Sequence, residues 1–259
     1  MRRIAWCLVT LLAASWAIHA AEPAAPTSIE FGAGAWVDVD ATGKAHVVEM
    51  DKLDRLKDEN KPGSLADIIK ARLRERIESW QFEPPTKNAV ALSGRTHVNL
   101  TVAAEDSGSG DIGLRVKRAN TGLVIRQMPS FVPVMSEMGR ATGWTAVVHL
   151  EISPRGHVTD ARMVDFRVFD GKEFVARPGY HDLSRAALRI IRQAEFTMEQ
   201  VDGQPTAGRG DLPVQMCISG SAACSDAANE GDASEKNKTE FAATNPAIGL
   251  RTAVAGTVL

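Results

Sequence analysis

Apolar and polar residues alternate along this chain in short runs, and the runs follow the same order twice. Residues 35–50 read AWVDVDATGKAHVVEM, and residues 144–164 read WTAVVHLEISPRGHVTDARMV. Each stretch is an alternating strand, a tight turn ending in glycine (Gly43, Gly156) and a second strand. A Pro-Gly pair follows in each (Pro62-Gly63, Pro178-Gly179), then an amphipathic helical pattern. Each helix leads to a phenylalanine (Phe82, Phe196) and a final alternating strand. An internal repeat sets the structural unit, so the expectation is two small domains of one type.

The first helix is predicted to start at Ser64, a good N-cap, with Asp67 three residues on. Leu65, Ile68, Ile69, Leu73, Ile77 and Trp80 form its apolar stripe at helical spacing. The second is predicted over 182–195, with Leu183, Ala186, Ala187, Ile190, Ile191 and Ala194 on one side. Both are one-sided helices suited to lie on a sheet.

The last strands keep period two. Val98, Leu100 and Val102 oppose His97, Asn99 and Thr101. In the second copy Leu212, Val214, Met216 and Ile218 oppose Asp211, Pro213, Gln215 and Cys217. Such alternation means one packed face and one wet face. Pro213 cannot donate to a ladder, which places this strand at a sheet edge.

Around the repeats the chain changes character. Arg2 and Arg3 precede an apolar run over 4–18, then small residues at Ala20 and Ala21. This order reads as a secretory signal peptide over 1–20, and the exported product is expected in the periplasm. The alternative is an uncleaved anchor in the inner membrane, for which the run is a little short. Residues 105–122 open with the Gly/Ser/Asp-rich EDSGSGDIG and read as a linker. From 219 to 259 large apolar residues are few, and the composition predicts a disordered tail.

The 259 residues carry a net charge of -2, with no basic excess to indicate nucleic acid. Cys7 lies in the signal segment. Cys217 and Cys224 form an even pair in an oxidising compartment, where a disulfide is favoured over two free thiols.

Catalytic and cofactor signals are weak. Gly108, Gly110 and Gly113 spell G-x-G-x-x-G, but no helical pattern follows, so the glycines are read as flexible linker rather than phosphate loop. The histidines His46, His97, His149, His157 and His181 are scattered without metal-ligand spacing. His97 and His149 fall at polar-face strand positions and are expected to be solvated. No nucleophile elbow or acid–base pair is evident, so the expectation is a non-enzyme with no cofactor and no metal.

A second layer of signal lies in the order of motifs in the second repeat. Pro129, Phe131 and Pro133 precede Gly139, Gly143 and Trp144. Ser153 to Gly156 make the turn, followed by Val158 and Asp160. The helix ends at Phe196, and Gly203, Gln204 and Pro205 lead into the closing strand. This series resembles the C-terminal domain of TonB, the periplasmic energy transducer of Gram-negative bacteria. Ala194 stands where the family has tryptophan. The first repeat is similar to a drifted second copy: it keeps Trp80, Gln81, Phe82, Glu83 and Pro84, and shows Ala89, Val90 and Ala91 in place of the Gly-x-Pro loop.

The expected fold class is therefore α+β, with two tandem small domains over 34–104 and 123–218. Each would be a three-stranded antiparallel sheet with one helix packed on one face. The resemblance implies binding of outer-membrane TonB-dependent transporters by edge-strand addition, in energy-coupled transport across the outer membrane. The implied docking edge is Asp211, Leu212, Pro213, Val214, Gln215, Met216, Cys217 and Ile218, with 97–102 as a weaker counterpart. Ser15 and His19 match a pair through which the family faces its inner-membrane motor. That partner applies only if the N-terminal segment stays uncleaved, and both residues are read as part of the signal. An envelope scaffold binding cell-wall material or another envelope protein is the alternative function.

Overall fold

The computed structural model describes residues 28–51, 53, 64–106, 112–138, 141–170, 173–175, 180–217, 242–244 and 246–251. The N-terminal segment read as a signal, with Cys7, Ser15 and His19, lies outside them, as do Ile218 and Cys224. In chain order the elements begin with strands β1 (Ser28–Val39) and β2 (Ala45–Met50), then helix α1 (Leu65–Glu78). Short strands β3 (Phe82–Glu83), β4 (Thr86–Lys87) and β5 (Val90–Ala91) follow. The long strands β6 (Gly94–Asp106) and β7 (Ile112–Gly122) come next, then β8 (Val124–Gln127) and a 3-10 helix at Val132–Glu137. The second half holds β9 (Gly143–Ile152), β10 (Val158–Asp170), β11 (Glu173–Val175), α2 (His181–Ile191), β12 (Glu195–Thr197), β13 (Gln200–Val201), β14 (Gln204–Pro205) and β15 (Gly208–Cys217). The C-terminal segment adds β16 (Ala242–Ala243) and β17 (Gly249–Leu250).

The fold class differs from the expectation. Among the described residues strands make up 57% against two α-helices, so the protein is mainly β rather than two small α+β domains. The two main sheets are also larger than three strands. One has six strands, with β14-β13-β6-β1-β2 in order and β7 beside β6; the other has five, in the order β11-β10-β9-β15-β16. The six-stranded sheet gains β7 and, from the second half, β13 and β14, and the five-stranded sheet gains β11 and β16. β13 of the second half pairs with Arg95 and Gly94 of β6, and β17 pairs with β3.

Within this framework the element order does repeat. β1-β2-α1-β3, a short hairpin and β6 are matched by β9-β10-α2-β12, a short hairpin and β15. β6 lies antiparallel beside β1, as β15 does beside β9. Both short hairpins turn through two left-handed residues, Asn88 and Ala89 in one and Asp202 and Gly203 in the other. That is the backbone of a type I′ turn, whose twist matches the strands it joins.

Two apolar clusters form beneath the sheets. In the first, Phe31, Ala35, Val37, Val98, Leu100 and Val102 pack against Ala66, Ile69, Leu73 and Ile77 of α1. Ser64 caps α1 by accepting the N–H of Asp67 at 3.2 Å. Leu65 and Ile68, assigned to the stripe by spacing, are half exposed: the sheet underlies a narrower arc than the apolar pattern spans. In the second cluster Trp144, Val148, Leu150, Leu212 and Val214 pack against Leu183, Ala187, Ile190 and Ile191 of α2.

Two segments read as irregular contain strands. Glu105 and Asp106 end β6, and residues 112–122 form β7, paired with β6 and burying Leu114 and Val116. Gly113 lies within that strand, while Gly108 and Gly110 lie outside the described residues. In the tail, β16 and β17 are paired strands and Ile248 is fully buried in the first cluster.

Candidate docking edge

Asp211, Leu212, Pro213, Val214, Gln215, Met216 and Cys217 all lie on β15, which pairs with β9 along its whole length from Gly208↔Ile152 to Cys217↔Gly143. Leu212 and Val214 are buried and Met216 packs against the same cluster. Asp211 and Pro213 are half-buried on the opposite face and Gln215 is exposed there. The backbone alternates too. Arg209 presents its carbonyl away from β9, where it accepts the Thr244 N–H at 3.1 Å. Residues two apart share a side, so Asp211, Pro213, Gln215 and Cys217 turn their backbone groups the same way. Pro213 thus occupies a position where its missing N–H costs the β9 ladder nothing. On that outer side β16 pairs at Gly210↔Ala243 and Asp211↔Ala242. The expected bond between Cys217 and Cys224 falls outside the described residues.

The wet face around β15 is charged. His149 Nδ1 lies 2.8 Å from Asp211 Oδ1, directly across the β9–β15 ladder, and Arg162 sits opposite His149 on β10. Asp160–Arg162 and Asp165–Arg167 pairs lie beside them at 3.4 and 2.9 Å. The β10 pairs are exposed, so each contributes little to stability. An added strand beside β15 would meet the Asp211–His149 pair first, since the β10 pairs stand beyond β9.

Two other candidate edges are closed. At β2 the N–H of Val47 donates to Glu78 Oε1 at 2.9 Å, and Arg74 Nη1 donates to the Val47 carbonyl at 2.8 Å. Side chains of α1 thereby occupy the backbone groups another strand would need, a common protection of sheet margins. The counterpart edge expected at 97–102 is closed by β7, whose ladder runs from His97↔Gly122 to Asp106↔Ile112.

Sequence reasoning missed three polar clusters. His97, expected to be solvated, is 1% exposed. Its Nε2 lies 2.8 Å from Asp51 Oδ2, and Trp36 meets its ring edge-on at 5.1 Å. The partners stand 46 residues apart in sequence, with no local signal to join them. A cleft of about 690 Å³ opens among Asp38, Lys44, His46, Glu78, Arg95 and Gln200. Arg95 donates to both Asp38 oxygens at 2.6 and 2.9 Å, which holds its pKa above the ordinary value. Glu78 Oε1 lies 3.2 Å from His46 Nδ1. The third cluster surrounds Glu199, buried between the halves. Its Oε1 accepts the Thr96 hydroxyl at 2.7 Å and its Oε2 accepts the Ala247 N–H at 2.7 Å. Burial raises its pKa, against the lowering pull of these hydrogen bonds.

Among the described residues no group of three or more His, Cys, Asp and Glu is placed to hold a metal ion, and no helix is long and apolar enough to cross a membrane. No protein-family description, curated protein or solved structure matches the chain.

Proposed function

We propose that this chain is a non-catalytic periplasmic protein of the TonB type that docks an extended segment of an outer-membrane transporter by strand addition along β15. One observation carries the reading: β15 is a ten-residue strand one place from the margin of its sheet, where β16 pairs with two of its residues and Pro213 stands on the same side. Strand addition takes its affinity from backbone groups and its register from alternate side chains. Each backbone bond contributes about 0.5 to 1.5 kcal/mol net, so several are needed for useful affinity. The closure of the β2 and β6 margins favours β15 over its counterparts. The ordered motifs of the second repeat support the choice of partner.

The test is titration of isotope-labelled protein with N-terminal peptides of outer-membrane transporters. Backbone amide shifts should concentrate on β15, strongest at Asp211, Gln215 and Cys217, with β2 unmoved. Shifts confined to another strand, or none at millimolar peptide, would remove the reading.

A further inference from the structure

Between residues 242 and 251 the described residues of the C-terminal segment touch both halves of the molecule and are fastened at several points. At its start, Thr244 donates its N–H to the Arg209 carbonyl at 3.1 Å, and β16 lies on β15 at Gly210 and Asp211. Ala247 donates its N–H to the buried Glu199 carboxylate. Ile248 is fully buried among first-half residues, and its carbonyl accepts the Thr121 hydroxyl at 2.6 Å. β17 pairs with β3, and Arg251 donates its N–H to the Gln81 carbonyl at 3.1 Å. Thr96 joins this fastening to the main sheet, since its hydroxyl donates to Glu199 and accepts the Gly122 N–H at 3.2 Å.

The strap lies on the outer side of the strand that the proposed function uses. Of the proposed edge only Asp211, Pro213, Gln215 and Cys217 turn their backbone groups outward, and Pro213 has no N–H to give. A docked strand long enough for a stable ladder must run on over Asp211 and Gly210, where β16 lies. The two strands cannot occupy one edge together.

We propose that the C-terminal segment is an autoinhibitory strap: β16 competes within the chain for the docking edge of β15, and the fastening at Glu199, Thr121 and β3 sets the strength of that competition. The inference rests on the docking reading above and adds its regulation. A tethered competitor acts at an effective concentration near millimolar, so a partner peptide meets the edge only in the fraction of molecules whose strap is released. Weakening the strap should therefore tighten peptide binding without altering the docking surface.

The experiment uses the full chain and two substitutions. Thr244→Pro removes the N–H and hydroxyl offered to Arg209. Thr121→Val removes the hydroxyl that holds the Ile248 carbonyl, from a position on β7 rather than on β15 or β16. The first probe is a fluorescent peptide copying residues 236–246, KNKTEFAATNP. The second is a set of transporter N-terminal peptides, with circular dichroism as the fold control. Thr121→Val removes one hydrogen bond and Thr244→Pro the two offered to one carbonyl, so both probes should bind about two- to tenfold more tightly than to the unaltered chain. Equal binding of the self-peptide to all three proteins, or no binding to any, overturns the strap. Transporter peptides that bind all three alike also overturn it and leave the docking reading standing. A self-peptide that responds while transporter peptides bind none of the three leaves β16 as an edge competitor and removes the docking reading.

Discussion

Gly156 accepts the backbone N–H of Phe196 at 2.9 Å, and the carbonyl oxygen of Phe196 lies 2.1 Å from where a Cβ on Gly156 would stand. The first half repeats the arrangement. Gly43 accepts the N–H of Phe82 at 2.9 Å, and the Phe82 carbonyl lies 2.3 Å from the corresponding position. Both glycines are left-handed, at φ +83° and +86°. The turn of each first hairpin thus holds the strand that follows each helix, which explains why glycine and phenylalanine recur together. Gly156→Ala should destabilise the protein by about 2 to 4 kcal/mol, since the left-handed penalty alone is about 1 to 2 kcal/mol and the obstructing atom is backbone. Urea unfolding measures it. A loss below about 1 kcal/mol would mean that the turn shifts freely away from Phe196.

The hairpin turns carry the opposite opportunity. Ala89 sits at φ +63°, where the second copy has Gly203 at +72°. An alanine there bears a left-handed penalty that glycine does not. Ala89→Gly should stabilise the protein by about 0.5 to 1 kcal/mol, the gain in the folded state outweighing the added freedom of the unfolded chain. The same unfolding measurement reads it, and a destabilised variant would contradict the assigned strain.

Trp80 is 7% exposed and belongs to the first apolar cluster, and its counterpart Ala194 is 1% exposed in the second. Trp80→Ala should cost about 3 to 5 kcal/mol, as expected for a large side chain removed from a packed site. Ala194→Trp should destabilise as well, because a filled core does not accept the added volume. A neutral effect at either position would show that the two cores are more tolerant than their burial implies.

What the sequence made legible was local. The glycine turns, the alternation of β1, β9 and β15, and the N-cap at Ser64 are written in neighbouring residues, and the order of elements follows from them. What it hid depends on pairing at a distance. β7 was masked by its Gly/Ser/Asp-rich approach and by a register shift opposite Thr101 and Val102 that breaks its alternation. Ile248 is one of a few large apolar residues in a tail rich in small and polar ones, and an average composition does not reveal that it fills a core. Leu65 and Ile68 show that helical spacing gives the stripe but not the width of the sheet beneath it. At the candidate edge, Pro213 pointed to the outer side of β15, whereas the β16 contact could not be read from so short a strand.

Glu199 makes stability depend on pH in a direction opposite to that of most paired carboxylates. Burial raises its pKa above the ordinary 4.5, and the Thr96 hydroxyl and the Ala247 and Ile248 N–H groups only partly offset this. A group whose folded pKa is raised contributes stability that is fully present below its unfolded value and lost as pH rises through the folded one. The contribution of Glu199 should therefore fall as pH climbs above the normal glutamate range. Glu199→Gln should keep the fold: its amide oxygen can accept from Ala247 and Ile248, and its NH2 can donate to the Thr96 hydroxyl oxygen. The substitution should flatten this part of the profile and leave the variant at least as stable as the unaltered chain at alkaline pH. Glu199→Leu should destabilise at every pH, because it strands the buried Ala247 donor and Thr96 hydroxyl. Urea midpoints across an acid-to-alkaline series for the three proteins provide the check. A Glu199→Gln profile parallel to that of the unaltered chain would show that Glu199 does not titrate in the way its burial requires.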